Sequence, residues 1–141
     1  MTEPVVIGDA VLYCMDGLEL MQTIGEKSVD AILTDLPYGT TACTWDTVIP
    51  FAPMWAGVKR VLKPRGAFVT TASQPFTSAL VMSNTAWFRY EWIWEKSLAT
   101  GYLNCNRSPM KAHEAICVFS ENGHTYNPQK NKGAAYRATR G

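Results

Sequence analysis

The sequence of 141 residues predicts an α/β fold whose sheet is mixed and mostly parallel. Short runs rich in apolar and β-branched residues alternate along the chain with segments in which apolar residues recur at helical spacing. Glycine, proline and aspartate separate these segments, as they do at turns. Strands that alternate with helices favour parallel neighbours in a sheet. A hydrophobic content of 47% and a charged content of 18% are typical of one soluble globular domain.

The first part of the chain predicts two extended segments, a helix and a strand. Residues 5–7 and 10–14 are apolar and flank a Gly-Asp turn, which predicts a pair of short extended segments. Asp16 is a suitable N-cap, and the apolar spacing that follows predicts a helix over 17–24. The apolar run 29–34 then predicts a strand.

The second part predicts two helices and three strands. In chain order these are a helix over 50–62, a strand over 67–71, a helix capped by Ser73 that ends near residue 84, and strands over 90–94 and 115–119. The polar segment 96–114 predicts a long loop near the rim of the sheet. We expect residues 1–127 to form one domain and residues 128–141 to form a basic, flexible tail.

Composition and charge narrow the functional classes. No apolar run approaches the roughly 18 to 20 residues of a membrane helix, and the first residues lack the basic-then-apolar pattern of a signal peptide. We therefore expect a cytoplasmic protein without a membrane partner.

The charge is unevenly distributed along the chain. Residues 1–56 carry eight acids and one base, whereas residues 96–141 carry seven bases and two acids. A basic second half is consistent with a polyanionic partner.

The cysteines and histidines predict no metal site. No two cysteines have the close spacing of zinc ligands, and four in 141 residues are too few for a disulfide scaffold. Neither histidine lies at a helical or hairpin offset from two cysteines. We expect reduced structural thiols at Cys14, Cys43, Cys105 and Cys117.

A candidate catalytic loop follows the predicted strand over 29–34 directly, with Asp35, Leu36, Pro37 and Tyr38 in succession. In α/β sheets, ligands gather at the carboxyl ends of the strands. A carboxylate, a proline-stiffened turn and an aromatic ring can together hold a flat heterocycle by its edge and its face. Ordinary turns also collect Asp and Pro, so the tetrapeptide alone leaves a purely structural interpretation open.

The chemistry of this loop suits the amino group of a nucleobase. Such a nitrogen is a poor nucleophile because its lone pair is delocalised into the ring. Hydrogen bonds to the Asp35 carboxylate and the Leu36 carbonyl favour a tetrahedral nitrogen and stabilise its developing positive charge. Stacking on Tyr38 is worth about 1–3 kcal/mol, and a paired base must first be extruded from the duplex. The indole of Trp45, a few residues on, is either a lid that contacts DNA or a surface-packed side chain.

The tetrapeptide resembles the Asp/Asn/Ser-Pro-Pro-Tyr hallmark of the amino-directed DNA methyltransferases, which methylate adenine at N6 or cytosine at N4. Leu36 replaces the commoner proline, but the family uses the backbone carbonyl of this position, which leucine also supplies. Over roughly residues 5–120, further segments resemble the family in the expected order, namely 12–16 with the helix after it, 61–68, 94–96 and 111–119.

The resemblance implies a Rossmann-like S-adenosylmethionine-dependent methyltransferase fold, with residues 1–127 as its catalytic portion. It implies double-stranded DNA as the substrate and S-adenosylmethionine as the cofactor. The target is an extruded base, more often adenine because the tetrapeptide begins with Asp. The implied catalytic residues are Asp35, Leu36, Pro37 and Tyr38, and the implied cofactor-binding residues are Asp16, beside the cofactor adenine, and Asp35.

The sequence departs from the family in its cofactor motif. Only 34 residues precede Asp35 and no Gly-x-Gly occurs, which indicates the permuted class, in which the glycine-rich motif follows the catalytic half. No such motif appears before Gly141, so we expect an incomplete fold with an exposed apolar sheet edge. Three interpretations stay open: a truncated methyltransferase, an inactive DNA-binding remnant, and one half of a split enzyme completed by a second chain. A homodimer also stays open as the assembly.

Overall fold

The computed structural model describes residues 3–131 and residue 133, and within them it contains six strands, three α-helices and one short 3₁₀ helix. In chain order the elements are β1 (Val5–Ile7), β2 (Ala10–Leu12), α1 (Gly17–Thr23), β3 (Val29–Asp35), α2 (Phe51–Val61), β4 (Leu62–Ala72), α3 (Phe76–Ser83), β5 (Phe88–Thr100), the 3₁₀ helix Tyr102–Asn104, and β6 (Lys111–Phe119).

The sheet that carries the site has the strand order β3-β4-β6-β5. The strands β3 and β4 run parallel, while β6 pairs antiparallel with both β4 and β5. The predicted α/β class and mixed sheet are confirmed, although only one of these three pairings is parallel. The reason is local: β5 and β6 are joined by a loop of residues 101–110, and strands joined this closely pair as a hairpin.

The core lies between the central strands and the helices α2 and α3. The Trp55 ring on α2 is 5.2 Å from Phe68 of β4 and 5.0 Å from Phe119 of β6, measured between centroids. Leu80 of α3 is fully buried in the same cluster. These contacts fix β4 and β6 beneath the helices.

The edge of this sheet at β3 is open in the described part of the chain. The strand β3 pairs only with β4 there, and Leu33 on it is 77% exposed. The expected exposed apolar edge is therefore present among residues 3–131 and 133.

Several predicted elements differ in extent from the observed ones. The expected loop over 96–114 is shorter, because β5 continues to Thr100 and β6 begins at Lys111. The extended segments near the N-terminus form a separate two-stranded hairpin, β1 with β2, which ends at Leu12. The predicted tail over 128–141 lies mostly outside the described residues.

The prediction that Ser73 caps a helix is wrong. The helix α3 begins at Phe76, with Pro75 at its N-cap position and no side-chain cap. The Ser73 hydroxyl instead accepts a hydrogen bond from the Lys111 ammonium of β6. The Ser73 hydroxyl thus bonds to a distant strand and not to the N-terminus of the helix that follows it, as its local sequence suggests.

The described residues contain neither a helix fit to cross a membrane nor a cluster of metal ligands. None of their helices combines the length and the apolar character that a membrane crossing requires. Among the same residues, no three His, Cys, Asp or Glu side chains lie together as metal ligands would.

Cys117 is buried, and burial raises its pKa to about 11, so this thiol stays protonated at neutral pH.

The position of Phe119 predicts a large loss of stability on truncation. Phe119→Ala removes a fully buried ring that contacts Trp55, Phe68 and Phe88. We expect the free energy of unfolding to fall by about 3–5 kcal/mol, measured by urea denaturation. Leu103→Ala, at a side chain 96% exposed, is the control and should change it by less than about 0.5 kcal/mol. Equal effects of the two substitutions would contradict this description of the core.

Candidate functional site

The predicted loop leaves the sheet where two parallel strands end together. Asp35 is the last residue of β3, and in the parallel register it lies opposite Thr71, near the end of β4. Parallel strands present their carboxyl ends at one edge, which is where α/β sheets bind ligands. Asp35 and Thr71 therefore face the same cleft.

Two side chains, Thr71 and Tyr38, hold the Asp35 carboxylate by one of its oxygens. The Thr71 hydroxyl donates to Asp35 Oδ1, and Tyr38 Oη lies 3.0 Å from the same oxygen and 2.7 Å from Thr71 Oγ1. Among the described residues, no group donates to Asp35 Oδ2. One carboxylate oxygen is thus fixed by the protein, while the other remains available to accept an N–H from a ligand.

Tyr38 is held by its ring as well as by its hydroxyl. Its ring stacks on Phe76 at the start of α3, with centroids 5.3 Å apart and planes inclined by 27°. Burial raises the pKa of Tyr38 to about 12. The hydrogen bond with Thr71 lowers the pKa, and the Asp35 carboxylate raises it. At neutral pH the phenol keeps its proton and remains a hydrogen-bond donor, and only the ring face away from Phe76 is left for another partner.

Asp46 shapes the segment that follows Tyr38, a role that the sequence did not predict. Its carboxylate accepts the backbone N–H groups of Gly39, Thr40 and Thr41 at 2.8, 2.9 and 2.7 Å. It is only 7% exposed, and these bonds, with that to Gly39 contributing most, lower its pKa to about 2. A carboxylate that is satisfied in this way closes the loop but has little capacity left for a ligand.

Gly39 is needed at the start of that closed segment. Its φ of +69° lies in the left-handed region, and a Cβ there would come within 2.8 Å of the Val48 side chain. Both the backbone conformation and the available space therefore favour glycine directly after the tetrapeptide.

These residues line a cleft of about 440 Å³ at the edge of the sheet. Leu36 and Pro37 form part of its wall, and Trp45, at 73% exposed, also lies along it. Further lining residues come from distant strands, which is why the tetrapeptide did not reveal them: Thr100 of β5, Lys111 and Glu114 of β6, and Ser73 after β4.

A second, largely apolar cleft of about 340 Å³ lies between α1 and β3. Asp16 is at its rim and is the N-cap of α1 as predicted, because its Oδ1 accepts from Leu18 N at 2.8 Å and Glu19 N at 3.1 Å. Met21 and Ile32 are among its apolar walls, and Leu36 lines both clefts. An apolar cleft with a carboxylate at its rim suits a flat ring with a polar edge.

The Tyr38 network predicts a shift of the phenol pKa in one variant. Asp35→Asn removes the negative charge beside the hydroxyl, so the pKa of Tyr38 should fall from about 12 yet stay above 10, because burial is the largest cause of the shift. NMR of ring-labelled tyrosine measures it. Asp30→Asn, at the other end of β3, is the control and should leave the titration unchanged. A Tyr38 titration that is the same in Asp35→Asn as in the unsubstituted protein would show that the Asp35 carboxylate does not contact the phenol.

The Asp46 bonds predict acid opening of the segment 39–41. Because its pKa is lowered from 3.8 to about 2, the stabilisation is complete above about pH 4 and is lost as the pH falls toward 2. The amide resonances of Gly39, Thr40 and Thr41 should therefore shift over this interval. In Asp46→Asn that titration should be absent. Amide shifts centred at pH 3.8 or higher would show that the carboxylate is not held in this way.

Comparison with known proteins gives a match in fold only. No family model and no curated protein matches the chain. The crystal structure of the M1.HpyAVI–SAM complex matches with a TM-score of 0.63 and 20% identity, over 86% of this chain and 62% of that one. PvuII DNA methyltransferase (cytosine-N4-specific) matches with a TM-score of 0.61 and 16% identity, over 79% of this chain and 49% of that one.

These matches establish the architecture of the described residues. The chain spans about half to three-fifths of the lengths of the two solved structures. The sheet and helices of the described residues thus share their α/β fold with these two structures, as the sequence predicted.

Proposed function

We propose that this chain is the catalytic portion of a DNA methyltransferase that transfers a methyl group from S-adenosylmethionine to the exocyclic amino group of an extruded base. The observation that carries the proposal is the Asp35 carboxylate at the end of β3, fixed through Oδ1 by Thr71 with Oδ2 left to accept. The fold match to a structure named as a DNA methyltransferase, and to another that was solved as a SAM complex, supports it.

The proposed chemistry uses two acceptors from the loop. Asp35 Oδ2 and the Leu36 carbonyl each accept one N–H of the amino group, which localises the nitrogen lone pair and orients it. As the nitrogen would form its bond to the methyl carbon, the bond from that carbon to the sulfonium sulfur would break and its electron pair would go to sulfur. The same two acceptors would stabilise the positive charge on nitrogen until a proton passes from it to solvent water. The Thr71 and Tyr38 hydroxyls keep the carboxylate in position throughout. Pro37 restrains the turn that presents the carbonyl.

The clefts provide adjacent places for the base and the cofactor. The base would occupy the cleft beside Asp35, with the free face of Tyr38 available for stacking. When bound, S-adenosylmethionine supplies an electrophilic methyl group attached to a sulfonium. The apolar cleft suits its adenine, and Asp16 has one carboxylate oxygen beyond the one used in capping α1. Leu36 lines both clefts, and its neighbour Asp35 lines the cleft proposed for the base.

Adenine N6 is the proposed target in preference to cytosine N4. The support is the resemblance of a tetrapeptide that begins with Asp rather than Ser. A paired base would have to leave the duplex to reach Asp35, at a cost of a few kcal/mol, and contacts between basic residues and phosphates would offset that cost.

The decisive substitution is Asp35→Ala. With duplex DNA and radiolabelled S-adenosylmethionine, we expect a complete, active version of this protein to form N6-methyladenine, identified by mass spectrometry of the digested DNA. Asp35→Ala should lower the rate by roughly 100-fold or more, as loss of a preorganised charge-stabilising group does, with DNA affinity largely retained. The control is Asp30→Ala, whose side chain is 82% exposed and paired with Lys63.

Each other result has a defined meaning. Unchanged turnover in Asp35→Ala would refute the role of the carboxylate. Formation of N4-methylcytosine would overturn the choice of base alone. Duplex binding by the isolated chain with a steep salt dependence, but without S-adenosylmethionine binding at millimolar concentration in calorimetry, would favour an inactive DNA-binding remnant.

A further inference from the structure

We propose that Lys111 is a phosphate-binding residue of the Asp35 cleft, which contacts the backbone of the nucleic-acid strand that enters it. The inference rests on the proposed function and adds a binding residue outside the tetrapeptide. Lys111 is the first residue of β6, and it lines the same cleft as Asp35.

The charges that line the cleft single out this lysine. The lining carboxylates are Asp35, Asp46 and Glu114, and Lys111 is the one cation among the lining residues. Three carboxylates would repel a phosphodiester strand. A cation held among them offsets that repulsion at the place where the strand must approach the base-binding loop.

Two of the three carboxylates that line the cleft already have partners within the fold. Glu114 forms a partly buried ion pair with Lys96, and Asp46 is saturated by backbone N–H groups. Within residues 3–131 and 133, no carboxylate lies within 4 Å of the Lys111 ammonium. Within the described residues, Lys111 therefore forms no ion pair, whereas Lys96 pairs with Glu114.

The structure also holds the Lys111 ammonium in place. Lys111 Nζ donates to the hydroxyl of Ser73, two residues after Thr71, and β5 residue Thr100 is its cross-strand partner. An ammonium has three donors, so one bond to Ser73 leaves two for phosphate oxygens. A tethered and partly buried lysine loses less side-chain freedom on binding than a fully exposed one does.

The test is the salt dependence of DNA binding by the whole chain. Kd for a fluorescent mixed-sequence duplex is measured between 50 and 200 mM NaCl for the unsubstituted protein, Lys111→Gln and Lys111→Arg. Loss of one phosphate contact should reduce the slope of log K against log salt by about 0.9 and weaken binding roughly five- to tenfold at 100 mM salt. Lys111→Arg keeps the charge and should keep the slope.

Lys63→Gln is the matched control. Lys63 is paired with Asp30 and lies at the opposite end of β4 from Thr71. It should leave the slope unchanged. Circular dichroism and thermal unfolding confirm that each variant remains folded.

The outcomes separate the two proposals. If the unsubstituted chain binds DNA and Lys111→Gln retains its slope and affinity, the phosphate role is wrong and the proposed function stands. If Lys63→Gln lowers the slope as much as Lys111→Gln does, the effect is one of net charge and the site is refuted. If the unsubstituted chain does not bind DNA, the proposed function fails and the Lys111 proposal fails with it.

Discussion

The parallel pairing of β3 with β4 is the constraint on which the site depends. Because the two strands run in the same direction and in register, Asp35 and Thr71 reach the same edge of the sheet together. Only in this arrangement can the Thr71 hydroxyl donate a hydrogen bond to the Asp35 carboxylate and accept one from the Tyr38 phenol. A shift of one residue in this register would send Thr71 to the opposite face of the sheet and leave Asp35 unsupported.

The carboxylates of two aspartates near this edge, Asp46 and Asp35, differ in how many of their acceptor positions the protein occupies. Asp46 accepts three backbone N–H groups, is almost wholly buried and has its pKa lowered to about 2. Asp35 is held through one oxygen only. The first arrangement uses all the acceptor capacity of the carboxylate to close a backbone segment. The second keeps a fixed orientation together with an acceptor that a ligand can use, which is the form of preorganisation that charge stabilisation requires.

The hydrophobic core supports the cleft through the same elements that line it. Phe76, at the first turn of α3, belongs to the core cluster and also stacks on Tyr38. Phe119 of β6 packs against Trp55 of α2, so the strand that carries Lys111 is held by the core at its far end. The cleft is thus built on strands whose positions are fixed by packing, which the proposed base-binding role requires.

The sequence by itself determined the local features. The N-cap at Asp16, the helix α2 and the strand that delivers Asp35 follow from side-chain type and apolar spacing, which act over a few residues. The tetrapeptide likewise identified the loop. The tertiary structure alone decided its partners: Thr71 is 36 residues from Asp35, and Lys111 is 38 residues from Ser73. No periodicity links positions so far apart, because strand order and register bring them together, and these depend on the packing of the whole sheet. For the same reason Ser73, a plausible cap by its local sequence, became the anchor of a lysine on another strand.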